Sequence, residues 1–210
     1  MKYEYLKRII DIFLAIFLGT LFLPVSLIVA LAIKLESPNG PVFADTPPRV
    51  GKNGRLFRTY KFRSMIPNAV EYLKSNPDLL EKYKKSSFKL HDDPRVTKVG
   101  RFIRKYSLDE VPQFVNILKG EMSLIGPRPY YSDELEEQQA KYPQTKDLVK
   151  KALSVHPGIT GIWQVSGRSA INFDKRIEMD SHYVRNMSLW YDLKILLKTP
   201  FVMLSGKGAV

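Results

Sequence analysis

Two carboxylates stand side by side at Asp109 and Glu110, within "SLDEVPQ", in a chain whose formal net charge is +12. After them Val111, Phe114, Val115 and Leu118 recur at the i, i+3, i+4, i+7 spacing of a helix face, and Gly120 closes that helix. Pro112 is tolerated only in the first turn, where its missing N–H does no harm. The helix therefore starts near Leu108 or Asp109, with the acidic pair at its amino terminus. Such a terminus attracts phosphate, because its free N–H groups point outward. Arg95, Arg101, Arg104 and Arg128 flank it in sequence, with Arg168 further along. Nearby cations and the helix dipole keep a carboxylate ionised and fit to act as a nucleophile. A second carboxylate beside it can move a proton or help to hold a divalent cation.

Capping accounts for the same residues. Ser107-x-x-Glu110 has the form of a capping box, Asp109 could itself be an N-cap, and acidic side chains oppose the macrodipole at any helix start. The local pattern leaves both readings open. Other chemistries are missing from the sequence: there is no G-x-x-x-x-G-K-[ST] loop, no G-x-S-x-G elbow and no H-E-x-x-H. The chain has no cysteine, and His91, His156 and His182 lack metal-ligand spacing.

The elements around the pair are less regular. "LFRTYKFRSM" reads as a strand, on which Lys61 and Arg63 face the same way; they make a two-cation anion clamp or a charged, protected edge. Residues 67–86 read as a charged helical excursion interrupted at Pro77. "VTKVGRFIRKYS" predicts a helix capped by Thr97, its apolar Val99, Phe102, Ile103 and Tyr106 bordered by basic residues. That pattern suits a helix lying on an anionic membrane surface. Gly/Pro loops carry Arg128 and "HPGITGIWQVSGR"; helices are expected over 133–150 and 172–187, with an amphipathic to apolar helix near the carboxyl terminus.

The uncharged run from Ile12 to Ile33 is about 22 residues long, enough for a helix to cross a bilayer core, and too long for the apolar region of a signal peptide. Pro24 interrupts it. Lys2, Lys7 and Arg8 precede the run and Lys34, Arg49, Lys52 and Arg55 follow, so the positive-inside bias pulls both ends to the cytoplasmic side. A helix bent at Pro24 that enters and leaves by one face satisfies both facts, and a kinked spanning helix remains its alternative. A pI near 9.7 calls for an anionic partner. The competing class is a membrane-anchored basic module binding nucleic acid or a lipid surface. No recognised aromatic-studded basic motif is visible, so no nucleic-acid partner is expected.

Several long stretches in order, "KRIIDIFLAIFLGTLFLP", "GPVF", "RVGKNGRLFRTYKFRSM", "DDPRVTKVGRFIRKYSLDEVPQFVNILKGEMSLIGPRP" and "HPGITGIWQVSGR", resemble the bacterial sugar transferase family, the monotopic phosphoglycosyl transferases. The resemblance implies an α+β, mostly helical fold: a re-entrant membrane helix over 1–35, bent at Pro24, and a small cytoplasmic catalytic domain over 36–210 with membrane-surface helices and few strands. It implies transfer of a sugar 1-phosphate from a UDP-sugar to polyprenyl (undecaprenyl) phosphate at the cytoplasmic face of the bacterial inner membrane, releasing UMP and initiating lipid-linked glycan assembly. Asp109 then matches the nucleophile and a ligand of the required Mg²⁺, and Glu110 its acid/base partner. Arg128 and Glu134 fall at the phosphate or nucleotide site, joined by Lys61, Arg63, Arg95 and Arg168; a homodimer is compatible with the pattern. The chain departs from the family at Leu23, where small members often carry serine, and at Thr46-Pro47-Pro48, where many carry a glutamine.

Overall fold

The amino-terminal apolar run folds as two helices, α1 (Lys2–Leu21) and α2 (Leu23–Glu36), in the computed structural model, which describes residues 2–85, 90, 92–167 and 171–205. Pro24 is the second residue of α2, and its ring cannot sit against a preceding helical turn, so the axes bend by 58° there. The break is local: the Phe22 N–H still donates to the Leu18 carbonyl at 2.8 Å, and the Ser26 N–H to Phe22 at 2.8 Å. Among the described residues no single helix is long and apolar enough to cross a membrane, but this bent pair passes that test together.

Most of the remaining chain is helical, as expected. After α2 come β1 (Arg49–Val50), β2 (Leu56–Phe57), α3 (Ala69–Lys74), α4 (Pro77–Lys85) and α5 (Lys98–Lys105). A 3₁₀ turn (Leu108–Gln113) leads into α6 (Phe114–Leu118), β3 (Ser123–Ile125), β4 (Tyr130–Tyr131), α7 (Ser132–Lys141) and α8 (Lys146–Ala152). β5 (Gly158–Thr160), α9 (Ile162–Ser166), α10 (Phe173–Arg185) and α11 (Leu189–Ser205) complete it. The expected strand over 56–65 pairs regularly only at Leu56–Phe57, followed by isolated bridges at Phe62 and Met65. The helix expected over 133–150 is split because Pro143 cannot continue it. The excursion over 67–86 likewise breaks ahead of Pro77, into α3 and α4.

Two small sheets hold the loops that matter. β1 lies between β2 and β4, all antiparallel, with Arg49 opposite both Phe57 and Tyr131. β3 pairs in parallel with β5, Ser123 opposite Gly158 and Ile125 opposite Thr160. The main core packs Ala15 of α1 with Ile117 of α6, Leu124 and Ile125 of β3, Tyr183 of α10 and Ile195 of α11. α1 therefore shares its core with the residues after position 36 and is not packed as a separate unit. α2 packs through Val29 and Ile33 against Phe62 and Ile103. The α5 helix comes so close to the chain at Ser64 that a Cβ on Gly100 would lie 1.9 Å from the Ser64 carbonyl oxygen. Its start is as predicted, with the Thr97 hydroxyl oxygen accepting from the Gly100 N–H at 2.9 Å.

Candidate active site

The acidic pair does not cap a helix in the way the sequence pattern allows. Ser107 adopts a left-handed conformation (φ 54°) that turns the chain sharply after α5, and its side chain makes no cap to the turn that follows. Asp109 and Glu110 lie inside a 3₁₀ turn and not at the start of a long α-helix. In the i→i−3 pattern the N–H of residue 112 would bond to the carbonyl of residue 109. Residue 112 is a proline and has no N–H to give. The Asp109 carbonyl instead accepts from the Phe62 N–H at 3.0 Å, which docks the basic segment against the turn.

A second grip fixes that segment. The side chain of Asn116, fully buried on α6, accepts from the Tyr60 N–H at 2.9 Å and donates to the Arg58 carbonyl at 2.8 Å. With Tyr60 and Phe62 both held, the residue between them is aimed at the pair. The Lys61 ammonium donates to Glu110 at 2.6 Å and stands 3.9 Å from Asp109. Arg104 approaches from α5, its Nε donating to the Ser64 hydroxyl at 2.8 Å.

These neighbours drive the two carboxyls apart. Burial pushes Asp109 up from the ordinary carboxylate range; Lys61 opposes the rise and the charge of Glu110 adds to it. Burial also disfavours ionised Glu110, but Lys61, directly bonded to it, and the charges of Arg128 and Arg49 hold it below its usual value. Ionisation of Glu110 is thus favoured, and Asp109 is a poorly solvated carboxylate whose charge is less well compensated.

The other expected residues are placed unevenly. Arg128 comes from the loop between β3 and β4, and its charge acts on Glu110. Its guanidinium lies 5.0 Å from the Trp163 ring and 3.9 Å from Glu134. Glu134 also accepts from the Tyr131 N–H at 3.4 Å, capping α7. Arg63 does not share the face of Lys61, because the segment is not a regular strand there. Its guanidinium donates to the carbonyls of Pro41 at 2.5 Å and Ser37 at 3.1 Å, and so pins the turn after α2. The Arg95 guanidinium makes two hydrogen bonds to Asp93, at 2.9 and 2.6 Å, and both residues are buried. Arg168 lies outside the described residues.

Three participants went unmarked in the sequence. Arg49 stacks on Tyr131, its guanidinium carbon 3.4 Å from the ring centroid, and donates to the Pro129 carbonyl at 3.0 Å. It appeared only as one more basic residue after the apolar run. Asn116 and Asp180 were not singled out; Asp180, buried on α10, accepts from the Arg128 N–H at 3.1 Å. No spacing rule singles out either one.

The donor set suits one kind of metal. Among the described residues no group of three or more His, Cys, Asp or Glu is poised around a common point. One or two carboxylates fit a magnesium ion that arrives with a diphosphate and draws most of its ligands from phosphate oxygens and water. Two adjacent carboxylates of unequal acidity with cations around them are compatible with phosphoryl transfer.

Residues 2–206 match a family model described as bacterial sugar transferase. The chain is 46% identical over 209 residues to the undecaprenyl-phosphate galactose phosphotransferase of Salmonella typhimurium, covering 98% of this chain and 42% of that protein. Identity to the exopolysaccharide production protein ExoY of Sinorhizobium fredii is 43% over 204 residues, covering 95% of this chain and 86% of that one. Identity to the UDP-glucose:undecaprenyl-phosphate glucose-1-phosphate transferase of Escherichia coli is 39% over 209 residues, with 97% and 41% covered. The chain spans less than half the length of the Salmonella and Escherichia proteins and most of ExoY.

Proposed function

The chain belongs to the bacterial sugar transferase family, and we propose that it transfers a hexose 1-phosphate from a UDP-sugar to undecaprenyl phosphate, releasing UMP. The observation that carries this reading is the placement of Lys61 between two unequal carboxylates, with the charge of Arg128 also acting on Glu110. An oxygen of Asp109 attacks the β-phosphorus of the UDP-sugar. The bond from that phosphorus to the bridging oxygen breaks, and UMP leaves with the electron pair. The sugar phosphate stays on Asp109 as an acyl phosphate. An oxygen of undecaprenyl phosphate then attacks the same phosphorus and the aspartyl bond breaks, restoring the carboxylate. Glu110, held ionised by Lys61, takes the proton of the incoming phosphate.

Lys61 and Arg128 neutralise the diphosphate, whereas Arg63 and Arg95 shape the loops that carry the site. Asp109, together with the diphosphate oxygens, would hold Mg²⁺. When bound, that ion supplies further neutralisation of the phosphate charge.

Membrane attachment by one leaflet is supported by the bend at Pro24 and by the apolar side chains it leaves uncovered. Phe13, Phe17, Leu21, Leu23, Leu27 and Leu31 are all exposed along α1 and α2. On α5 Phe102 is 58% exposed while Ile103 is buried, so one residue of the expected apolar stripe faces outward beside Arg101 and Lys105. An apolar face bordered by cations suits the anionic inner surface of a bacterial inner membrane. In this cysteine-free chain, Lys2→Cys and Arg55→Cys should both resist a periplasm-restricted thiol reagent. Labelling of one and not the other would establish a spanning segment instead.

The activity itself is tested by UMP release. With Mg²⁺ and undecaprenyl phosphate, at least one member of a panel of UDP-hexoses and UDP-N-acetylhexosamines should release UMP and yield the lipid-linked sugar. If no UDP-sugar does so while the folded protein binds membranes, the transferase reading fails.

A further inference from the structure

Arg128 is held from its backbone and hardly at all by its side-chain head group. Among the described residues, the contacts of its guanidinium are the 3.9 Å approach to Glu134 and the aromatic faces of Trp163 at 5.0 Å and Tyr130 at 5.7 Å. None of these is a hydrogen bond, and Nε is buried without a partner. The path of the loop must therefore set where the charge sits.

Two devices set that path. At its entry Gly126 crosses the strand after His156: its N–H donates to the Thr160 carbonyl at 3.0 Å, and a Cβ there would lie 2.5 Å from the His156 carbonyl oxygen. At the arginine itself, the backbone N–H of Arg128 donates to Oδ2 of Asp180 at 3.1 Å. Asp180 comes from the middle of α10 and is fully buried, at 0% exposure. Among the described residues, its other oxygen, the Tyr130 hydroxyl and Nε of Arg176 are buried without hydrogen-bond partners. Arg176, one turn earlier on α10, also stacks on Trp163, at 5.3 Å. A carboxyl group is costly to bury in this way, so a plain packing role is a poor account of it. Its one hydrogen bond here satisfies the donor that begins the catalytic arginine.

We propose that Asp180 is a positioning residue, whose hydrogen bond to the Arg128 backbone fixes the guanidinium for the transferred phosphate. This rests on the transferase reading above, and the test separates the two. Small displacements of a positioned group cost rate steeply, so Asp180→Ala should lower kcat/KM for UMP release roughly tenfold to a hundredfold. Asp180→Asn keeps an acceptor oxygen of the same reach and should recover most of that loss.

A double-mutant cycle with Arg128→Ala is decisive, because residues acting through one another are non-additive. Asp180→Ala combined with Arg128→Ala should be no slower than Arg128→Ala alone. Losses that multiply would overturn the proposal, as would full activity in folded Asp180→Ala. If the alanine variant does not fold, Asp180→Ser, which leaves a smaller hole, carries the same cycle and is read in the same way. Absence of UMP release by the unmodified protein would instead overturn the transferase reading.

Discussion

Asp109→Asn should fold as the parent does and lose UMP release by roughly a thousandfold or more, the scale on which loss of a covalent nucleophile acts. Asparagine has the size and capping ability of aspartate, so a structural role for Asp109 predicts little change. No capping bond from Ser107 is present to be disturbed, and the turn is held through the Asp109 carbonyl, which the substitution keeps. Stability gives an independent sign. Burial raises the pKa of Asp109 in the folded protein, so the folded state binds this proton more tightly than the unfolded chain does. Stability is therefore lost as pH rises through the range between the ordinary carboxylate value and the raised one. At neutral pH the uncharged asparagine should leave the melting temperature unchanged or higher. An inactive protein that is at least as stable as the parent is the expected pair of results. An active one would remove Asp109 from the mechanism.

Lys61→Met should also lower kcat/KM, roughly tenfold to a hundredfold, the range for one lost charge-assisted contact. Its second effect is more specific. Lys61 is the main group that pulls the Asp109 pKa back down against burial. In the parent, kcat/KM should fall on the acid side as Asp109 protonates, at a pH above the ordinary carboxylate range. In Lys61→Met that fall should begin at a higher pH still, because the cation is gone and the burial remains. Arg63→Met provides the contrast. Arg63 holds the carbonyls of Ser37 and Pro41, so its loss should reduce stability and leave the acid limb where it was. Coincident pH profiles for Lys61→Met and the parent would contradict the assigned geometry.

How much of this was legible in the sequence depended on the range of the interaction. The acidic pair, its proline and the following apolar repeat are local, and the structure brings Lys61 to that pair. The bend at Pro24 was legible for the same reason, since a proline acts on the turn just before it. Lys61 was found as part of a basic segment, but its direction was inferred from strand alternation that the segment does not keep. Two outside grips set its direction, the Asn116 side chain on Tyr60 and the Asp109 carbonyl on Phe62. Asn116 is more than fifty positions away from the backbone it holds, and nothing in its neighbourhood marks it. Arg63 and Arg95 looked like phosphate ligands because a sequence shows charge and not what already satisfies it. Backbone carbonyls and the Ser37 hydroxyl engage Arg63, and a buried aspartate engages Arg95.

In the proposed mechanism Asp109 carries the sugar phosphate between donor and acceptor. The direct measurement is the mass of the protein after incubation with the cognate UDP-sugar and Mg²⁺, without undecaprenyl phosphate, followed by an acid quench. The protein should become heavier by one sugar phosphate, with the added mass on the peptide that contains Asp109, and should release UMP stoichiometrically. An unmodified protein that releases UMP only when the lipid acceptor is present would mean direct transfer between the substrates, and would contradict it.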